Sequence, residues 1–358
     1  MAVHQAAAGK ERDQRMQTKL YQLTPEDTGA LRELGALLRG GGLAGIPTET
    51  VYGLAANAFD GPAVAKIFRA KGRPQDNPLI VHICAFSQIY ALVREVPMQA
   101  VALARAYWPG PLTMILPKSP AIPEEVSAGL GTVAVRMPSH PLARAIIRAA
   151  GVPLAAPSAN LSGSPSPTTA RHVLDDMDGR IEAVVDGGPC AVGVESTVVT
   201  LAAGRPRLLR PGGITLGQLR AVLGAVEVDH AVEAQLAAGE QAASPGMKYK
   251  HYAPKAHVVI VRGPFDRYAE FVNAHAGEGV AALCYEGEEA ALQARAIPCG
   301  RRGDPASQAR HLFDTLRALD AMGVQTAYAR CPEKDGVGLA VYNRLLRAAA
   351  FEIIDVSQ

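Results

Sequence analysis

The chain has 358 residues, 48% of them hydrophobic and 20% charged, which is enough apolar material for the cores of two domains and excludes a disordered or low-complexity chain. A formal net charge of +2 excludes wholesale wrapping by nucleic acid, so any anion binding must come from local placement of Lys and Arg. The five cysteines, Cys84, Cys190, Cys284, Cys299 and Cys331, are scattered without a C-x-x-C pair, which argues against a zinc site or a disulfide framework.

Residues 1–15 read as a disordered tail, and Met1 to Lys19 lacks the apolar core of a signal peptide. No apolar run reaches membrane-spanning length, so the expectation is a cytoplasmic protein with no membrane partner. Thr24-Pro25-Glu26-Asp27 reads as a helix start, followed by Leu31, Leu34, Leu37 and Leu38 on one face. Gly40-Gly41-Gly42 ends that helix, and Leu43 to Ile46 enters the core as a strand. Gly40, Gly42 and Gly45 fit G-x-G-x-x-G, but here the glycines follow a helix and open a strand, the reverse of a dinucleotide fold. Pro47-Thr48-Glu49-Thr50-Val51-Tyr52-Gly53-Leu54 then sets hydroxyls and a carboxylate at a strand end, either in a cleft or in a Thr-rich turn.

Ala63 to Ala70 carries Val64, Ile67 and Phe68 at helical spacing, and Gly72 and Pro74 stop it. Lys71 and Arg73 therefore sit where the helix gives way to a short loop. They fit either a polyphosphate site or a solvated helix end favoured by the macrodipole. Leu79 to Ile83 reads as a buried strand with His82 on the face of Ile80, as a site residue or a core histidine.

Tyr107-Trp108-Pro109-Gly110-Pro111 breaks a helix before the strand Leu112 to Leu116. In Gly131 to Pro138, Thr132, Ala134 and Arg136 share one face. An inward arginine needs a partner, which is either a bidentate ligand carboxylate or an internal Asp or Glu. Helix His140 to Ala150 and strand Val152 to Ala156 deliver the polar loop Pro157 to Thr168, where Ser158 and Asn160 point the same way if strand geometry persists. Strand Val184 to Asp186, the hydroxyl-rich start Glu195-Ser196-Thr197, Arg210 beside a glycine turn, and helix Leu216 to Leu223 complete a first domain over 16–228.

Residues 229–254 form an unusually long connection ending in Ser244-Pro245-Gly246-Met247-Lys248-Tyr249-Lys250-His251-Tyr252-Ala253-Pro254, whose cations and tyrosines suit stacking and phosphate contact better than passive linkage. Beyond it, over 255–358, strands His257 to Val261, Val280 to Tyr285 and Gln325 to Ala329 alternate with helices near Phe265 to Ala274, Ala306 to Met322 and Ala340 to Ala350. This predicts a small, mostly parallel α/β domain with a regulatory or lid role.

Together, Pro47 to Leu54, Lys71-Gly72-Arg73, Pro157 to Gly163, Glu195 to Val198 and Ser244 to Pro254 closely resemble the threonylcarbamoyl-AMP synthase family in its two-domain form. The resemblance runs from Met16 onward. It implies a YrdC-like twisted mixed open sheet flanked by helices, plus a smaller Rossmann-like α/β domain. It also implies the reaction of L-threonine, bicarbonate or CO2, and ATP to L-threonylcarbamoyl-AMP and pyrophosphate. A downstream transferase would use the product to modify tRNA next to the anticodon, and weak direct contact with tRNA stays open.

Carried over by motif, Thr50, His82, Arg136, Ser158 and Ser196 surround threonine, with Arg136 forking its carboxylate. Lys71, Arg73, Asn77, Thr132, Asn160, Ser166, Arg210 and Tyr249 hold the nucleotide, and Lys71 and Arg73 are the expected catalytic cations. Mg²⁺ is expected on the ATP phosphates and water rather than on side chains. Two competing readings rank below this one. An RNA-binding protein is disfavoured by the near-neutral charge. A carbamoyl transferase like the hydrogenase-maturation relatives needs acylphosphatase and zinc-finger modules that this chain lacks the length and C-x-x-C pairs to hold.

Overall fold

Asp60 opens the helix Gly61–Lys71 by accepting a hydrogen bond from the Ala63 amide, and Val64, Ile67 and Phe68 turn inward from it as their spacing requires. Gly72 ends it in the left-handed region at φ 61°, where a side chain would be strained. Lys71 is therefore the last helical residue, and Arg73 the first side chain beyond the cap.

The computed structural model describes residues 16–234 and 252–357. The tail expected over 1–15 and most of the connection expected over 229–254, Tyr249 included, lie outside the described residues. Among those described, eleven strands form a mixed sheet and five form a second sheet. Across the middle of the first sheet lie, side by side, Gly53–Asn57, Leu154–Ala155, Ile80–His82, Thr132–Arg136, Leu112–Pro117 and Thr197–Thr200. Ile80–His82 runs parallel to Thr132–Arg136 with His82 opposite Arg136, and Arg136 faces Thr113 on its other, antiparallel neighbour. This register brings a histidine, an arginine and a hydroxyl to one end of three adjacent strands.

The second sheet is parallel throughout, in the order Arg295–Pro298, Val280–Cys284, Thr326–Arg330, His257–Arg262, Ile353–Asp355. Helices Phe265–Ala274, Pro305–Ala321 and Gly338–Ala348 accompany it, as the alternation of periods predicts. The large mixed sheet and the small parallel one match the expected fold class.

The two units share apolar contact. Val51 and Val194, from the polar loops of the first, belong to the same buried cluster as Tyr252, Leu312 and Phe313 around the second. Gly193, at φ 82°, lies so close to helix Pro305–Ala321 that a Cβ there would stand 2.4 Å from the Ala309 carbonyl oxygen. The loop that leads to Glu195 is thus pressed against the second unit.

Candidate active site

A cavity opens at the strand ends that carry His82 and Arg136, closed by the loops 47–54, 156–158 and 195–196. Its wall carries all five residues expected around threonine, Thr50, His82, Arg136, Ser158 and Ser196, together with Arg73 and Arg210 of the expected nucleotide set. Segments far apart in sequence meet because 157–159 pairs with 52–54: the Leu54 amide donates to the Pro157 carbonyl and the Ala159 amide to the Tyr52 carbonyl.

Arg136 is 3% exposed, and an internal carboxylate satisfies it, the second of the two alternatives open in the sequence. Its Nη2 lies 2.6 Å from Glu49 Oε1, its Nη1 donates to Thr50 Oγ1 at 2.8 Å, and its Nε donates to the Gly110 carbonyl at 3.4 Å. The fork assigned by resemblance to threonine is therefore held by Glu49 and Thr50 in this structure. The Glu49 contact is an ion pair that does not meet hydrogen-bond geometry, and the other Glu49 oxygen accepts from the Ser139 amide at 3.1 Å. Thr50 also meets the Thr48 hydroxyl at 2.9 Å.

His82 Nδ1 donates to the Ile80 carbonyl at 3.2 Å, which leaves Nε2 unprotonated in the neutral ring. Burial, helped by the Arg136 charge, pushes its pKa down to about 3. It is therefore a neutral histidine at physiological pH.

Beside Arg136 in the sheet stands Thr113, whose Oγ1 lies 2.7 Å from Ser196 Oγ; that hydroxyl accepts from Arg210 Nη2 at 3.2 Å, while Arg210 Nε donates to the Ser196 carbonyl at 3.1 Å. Burial lowers the Arg210 pKa to about 10, which still leaves it charged. Arg73 folds back over its own loop, with Nη2 donating to the carbonyls of Asn77 and Pro78.

Lys71 is 2% exposed, so its reading as a solvated helix end fails. Its ammonium donates to the Ser158 carbonyl and, at 2.6 Å, to the Asn160 carbonyl, and it stands behind the cavity wall rather than on it. Burial, then the charge of Arg73, holds its pKa well below the usual lysine value. The shared orientation expected for Ser158 and Asn160 does not extend to a shared role. Ser158 lines the cavity, whereas the Asn160 amide braces its own loop by donating to the carbonyls of Leu161 and Ser164. Ser166 and Thr132 are also off the cavity wall; the Ser166 hydroxyl donates to Glu195. Asn77 is fully buried, and neither its Nδ2 nor its Oδ1 has a partner among the described residues.

Among the described residues, no group of three or more His, Cys, Asp or Glu side chains converges in a way that would hold a metal. Glu195 lines the cavity and is paired with Arg344, while Glu49 lies behind the lining and is paired with Arg136.

Comparison with known proteins decides the family. The family described as "Telomere recombination" (Sua5/YciO/YrdC) matches residues 36–212, and "Threonylcarbamoyl-AMP synthase, C-terminal domain" matches 214–350. The chain is 46% identical over 331 residues to the threonylcarbamoyl-AMP synthase of Pyrococcus abyssi, covering 91% of this chain and 96% of that protein. It belongs to the threonylcarbamoyl-AMP synthase family. The threonylcarbamoyl-AMP synthase of Bacillus subtilis is 48% identical over 328 residues, 90% of this chain and 94% of its own. A crystal structure of P. abyssi Sua5 complexed with L-threonine superposes with a TM-score of 0.86 at 42% identity, covering 95% of this chain and 99% of that one.

The residues that sequence reasoning missed are those joining the two units. Arg317 pairs with Asp176 at 2.8 Å and donates to the Pro165 carbonyl, and Asp176 in turn accepts from the Leu161 amide in the Ser158–Ser166 loop. Arg344 pairs with Glu195 at 2.7 Å. Both arginines lie on amphipathic helices, where a cation reads as part of a solvated face.

Proposed function

We propose that this cavity joins threonine, CO2 and ATP at adjoining walls. The chain is an enzyme that makes L-threonylcarbamoyl-AMP from L-threonine, bicarbonate or CO2, and ATP, releasing pyrophosphate. The observation that carries the division of labour is the composition of the cavity itself. A neutral histidine and the hydroxyls of Thr50, Ser158 and Ser196 line it together with the guanidinium groups of Arg73, Arg136 and Arg210.

In this account the polar pocket of Thr50, His82, Arg136, Ser158 and Ser196 takes threonine, with its carboxylate toward Arg136 in exchange for Glu49. The amine of threonine, once deprotonated, captures CO2 and loses a proton to give the carbamate. A carbamate oxygen then attacks the α-phosphorus of ATP, the bond to the bridging oxygen breaks, and pyrophosphate leaves. Negative charge grows on phosphate oxygens, so the protein's work is positioning and electrostatic stabilisation by Arg73 and Arg210. Lys71 acts from behind the wall by fixing the Ser158 and Asn160 carbonyls, and Asn77, Thr132, Asn160, Ser166 and Tyr249 complete the nucleotide set. Mg²⁺, if carried on the ATP phosphates, would supply further charge neutralisation there, beside Arg73 and Arg210.

The domain limits proposed are 16–228 and 255–358, with 229–254 reaching the active site to exclude water from the mixed anhydride. The product passes to a tRNA threonylcarbamoyl transferase in the cytoplasm. Among the described residues, no helix is long and apolar enough to cross a membrane.

Pyrophosphate release by the purified full chain, with threonine and bicarbonate each present or omitted and with serine and valine as controls, tests this reading. It requires release that depends on both co-substrates; release indifferent to threonine would overturn it.

A further inference from the structure

Arg344 is the largest fully buried side chain of the molecule's described residues, and the reaction as outlined does not use it. It sits on helix Gly338–Ala348 of the second unit, yet most of its hydrogen bonds go to the first. Its Nε donates to Glu195 Oε2 at 2.7 Å, and its Nη2 donates to the Glu195 and Pro211 carbonyls at 3.3 and 3.0 Å. Its Nη1 donates to Asn343 Oδ1 at 2.7 Å, and the guanidinium lies over the ring of Tyr252, 5.6 Å from its centroid.

The two residues it grips flank the nucleotide wall. Glu195 immediately precedes Ser196, and Pro211 immediately follows Arg210. The other oxygen of the Glu195 carboxylate accepts from the Ser166 hydroxyl. We propose that Arg344 is a positioning residue for ATP: acting from the second unit, it holds Glu195 and the Pro211 carbonyl in place, and through them it fixes Ser166 and Arg210 of the nucleotide set.

The chemistry argues for positioning rather than simple adhesion. A buried ion pair is a poor way to glue two surfaces, because desolvation offsets much of its attraction and apolar residues of similar volume serve as well. A planar fork tied to one carboxylate and two backbone carbonyls instead fixes orientation. The charged and titratable groups that act on Glu195 or are acted on by it are Arg344, Arg210, Lys71 and Tyr252. Burial by itself would raise the Glu195 carboxyl, but the charges of Arg344 and Arg210 and the hydrogen bonds from Arg344 and Ser166 outweigh it and hold the group below the usual carboxylate value. Removing Arg344 takes away the largest of these lowering contributions, so Glu195 takes up a proton at higher pH than in the wild type.

This inference rests on the proposed nucleotide wall, and its test separates the two. ATP affinity by calorimetry and pyrophosphate release would be measured on the full chain for wild type, Arg344→Lys, Arg344→Met, and the double variant Arg344→Met/Glu195→Gln, which removes both charges of the ion pair. The expected result for Arg344→Met is ATP affinity weakened about tenfold or more, the scale of a lost charged hydrogen bond, with the KM for threonine nearly unchanged. Its activity should fall off in acid at a higher pH than that of wild type, and Arg344→Lys should recover part of the affinity. The double variant should be no weaker than Arg344→Met, because both changes act on one link.

Equal ATP affinity in wild type and in a folded Arg344→Met or double variant would overturn the proposal. So would a rise in both KM values together. A wild type that binds ATP but makes no product would sink the functional reading alone, while the affinities still decide the role of Arg344.

Discussion

Glu49 and Arg136, 87 positions apart in sequence, form a buried ion pair at 2.6 Å, with Arg136 on the wall of the cavity and Glu49 behind it. The pair answers the question that an inward arginine on strand Thr132–Arg136 raises, and it constrains the threonine pose proposed above. A second carboxylate can engage the fork only by sharing it with Glu49 or displacing it.

Arg136→Lys should therefore raise the KM for threonine about tenfold while leaving ATP affinity close to wild type, since a point charge cannot serve two acceptors in one plane. Steady-state kinetics with each substrate varied in turn checks this. In the other direction, Glu49→Ala strands a buried guanidinium and should cost about 3 kcal/mol of stability, read from urea unfolding.

Lys71→Met removes the ammonium from the Ser158 and Asn160 carbonyls and should lower turnover about a hundredfold, comparable to losing one preorganised donor. Lys71→Arg should not restore it, because the buried space holds a compact ammonium and the planar fork has a different reach. Pyrophosphate release rates for the two variants, with circular dichroism to confirm folding, distinguish this from general instability.

His82 supplies a pH dependence of stability whose sign is fixed. Its folded pKa of about 3 lies below the ordinary value of 6.5, so the unfolded chain binds the proton more readily over that window. Stability from this residue is present above about 6.5 and is lost as pH falls toward 3. His82→Gln should flatten that part of the profile of urea midpoint against pH; an unchanged slope would show that other groups carry it.

Gly193→Ala places a Cβ against the Ala309 carbonyl at a residue with φ 82°. The expected outcome is a loss of 2 kcal/mol or more, on the order of a backbone clash plus a left-handed strain. It should lower the melting temperature and, by moving the loop to Glu195, also weaken ATP binding.

Much of this architecture is legible in the sequence where a local rule governs. Helices Leu216–Leu223 and Phe265–Ala274 follow from apolar spacing and their starts, and the parallel second sheet follows from alternation of strand and helix. What escapes is short or compositionally quiet. Strands Lys19–Gln22, Arg295–Pro298 and Ile353–Asp355 are three- or four-residue pieces at or beside sheet edges, too short and too exposed to show a period. Gly53–Asn57 is buried but made of Gly, Leu, Ala and Asn, residues mostly with weak strand preference, and its pairing with Ala44–Ile46 decides it.

The site divides in the same way. Thr50, His82, Arg136, Ser158 and Ser196 converge because each motif stands at a strand end, and strand ends of one sheet meet. Lys71 and Asn160 keep their place beside the cavity but turn to backbone work, which depends on rotamers that sequence does not encode locally. Arg344 is invisible to local reading, since its partner lies 149 positions away and nothing on its helix marks that arginine as buried.

The most direct test supplies the purified chain with ATP, threonine and ¹³C-bicarbonate and identifies the nucleotide product by mass spectrometry. The account predicts threonylcarbamoyl-AMP that carries the label, formed together with pyrophosphate and absent when threonine is omitted. An adenylate without the label, or cleavage of ATP to ADP and phosphate, would contradict it.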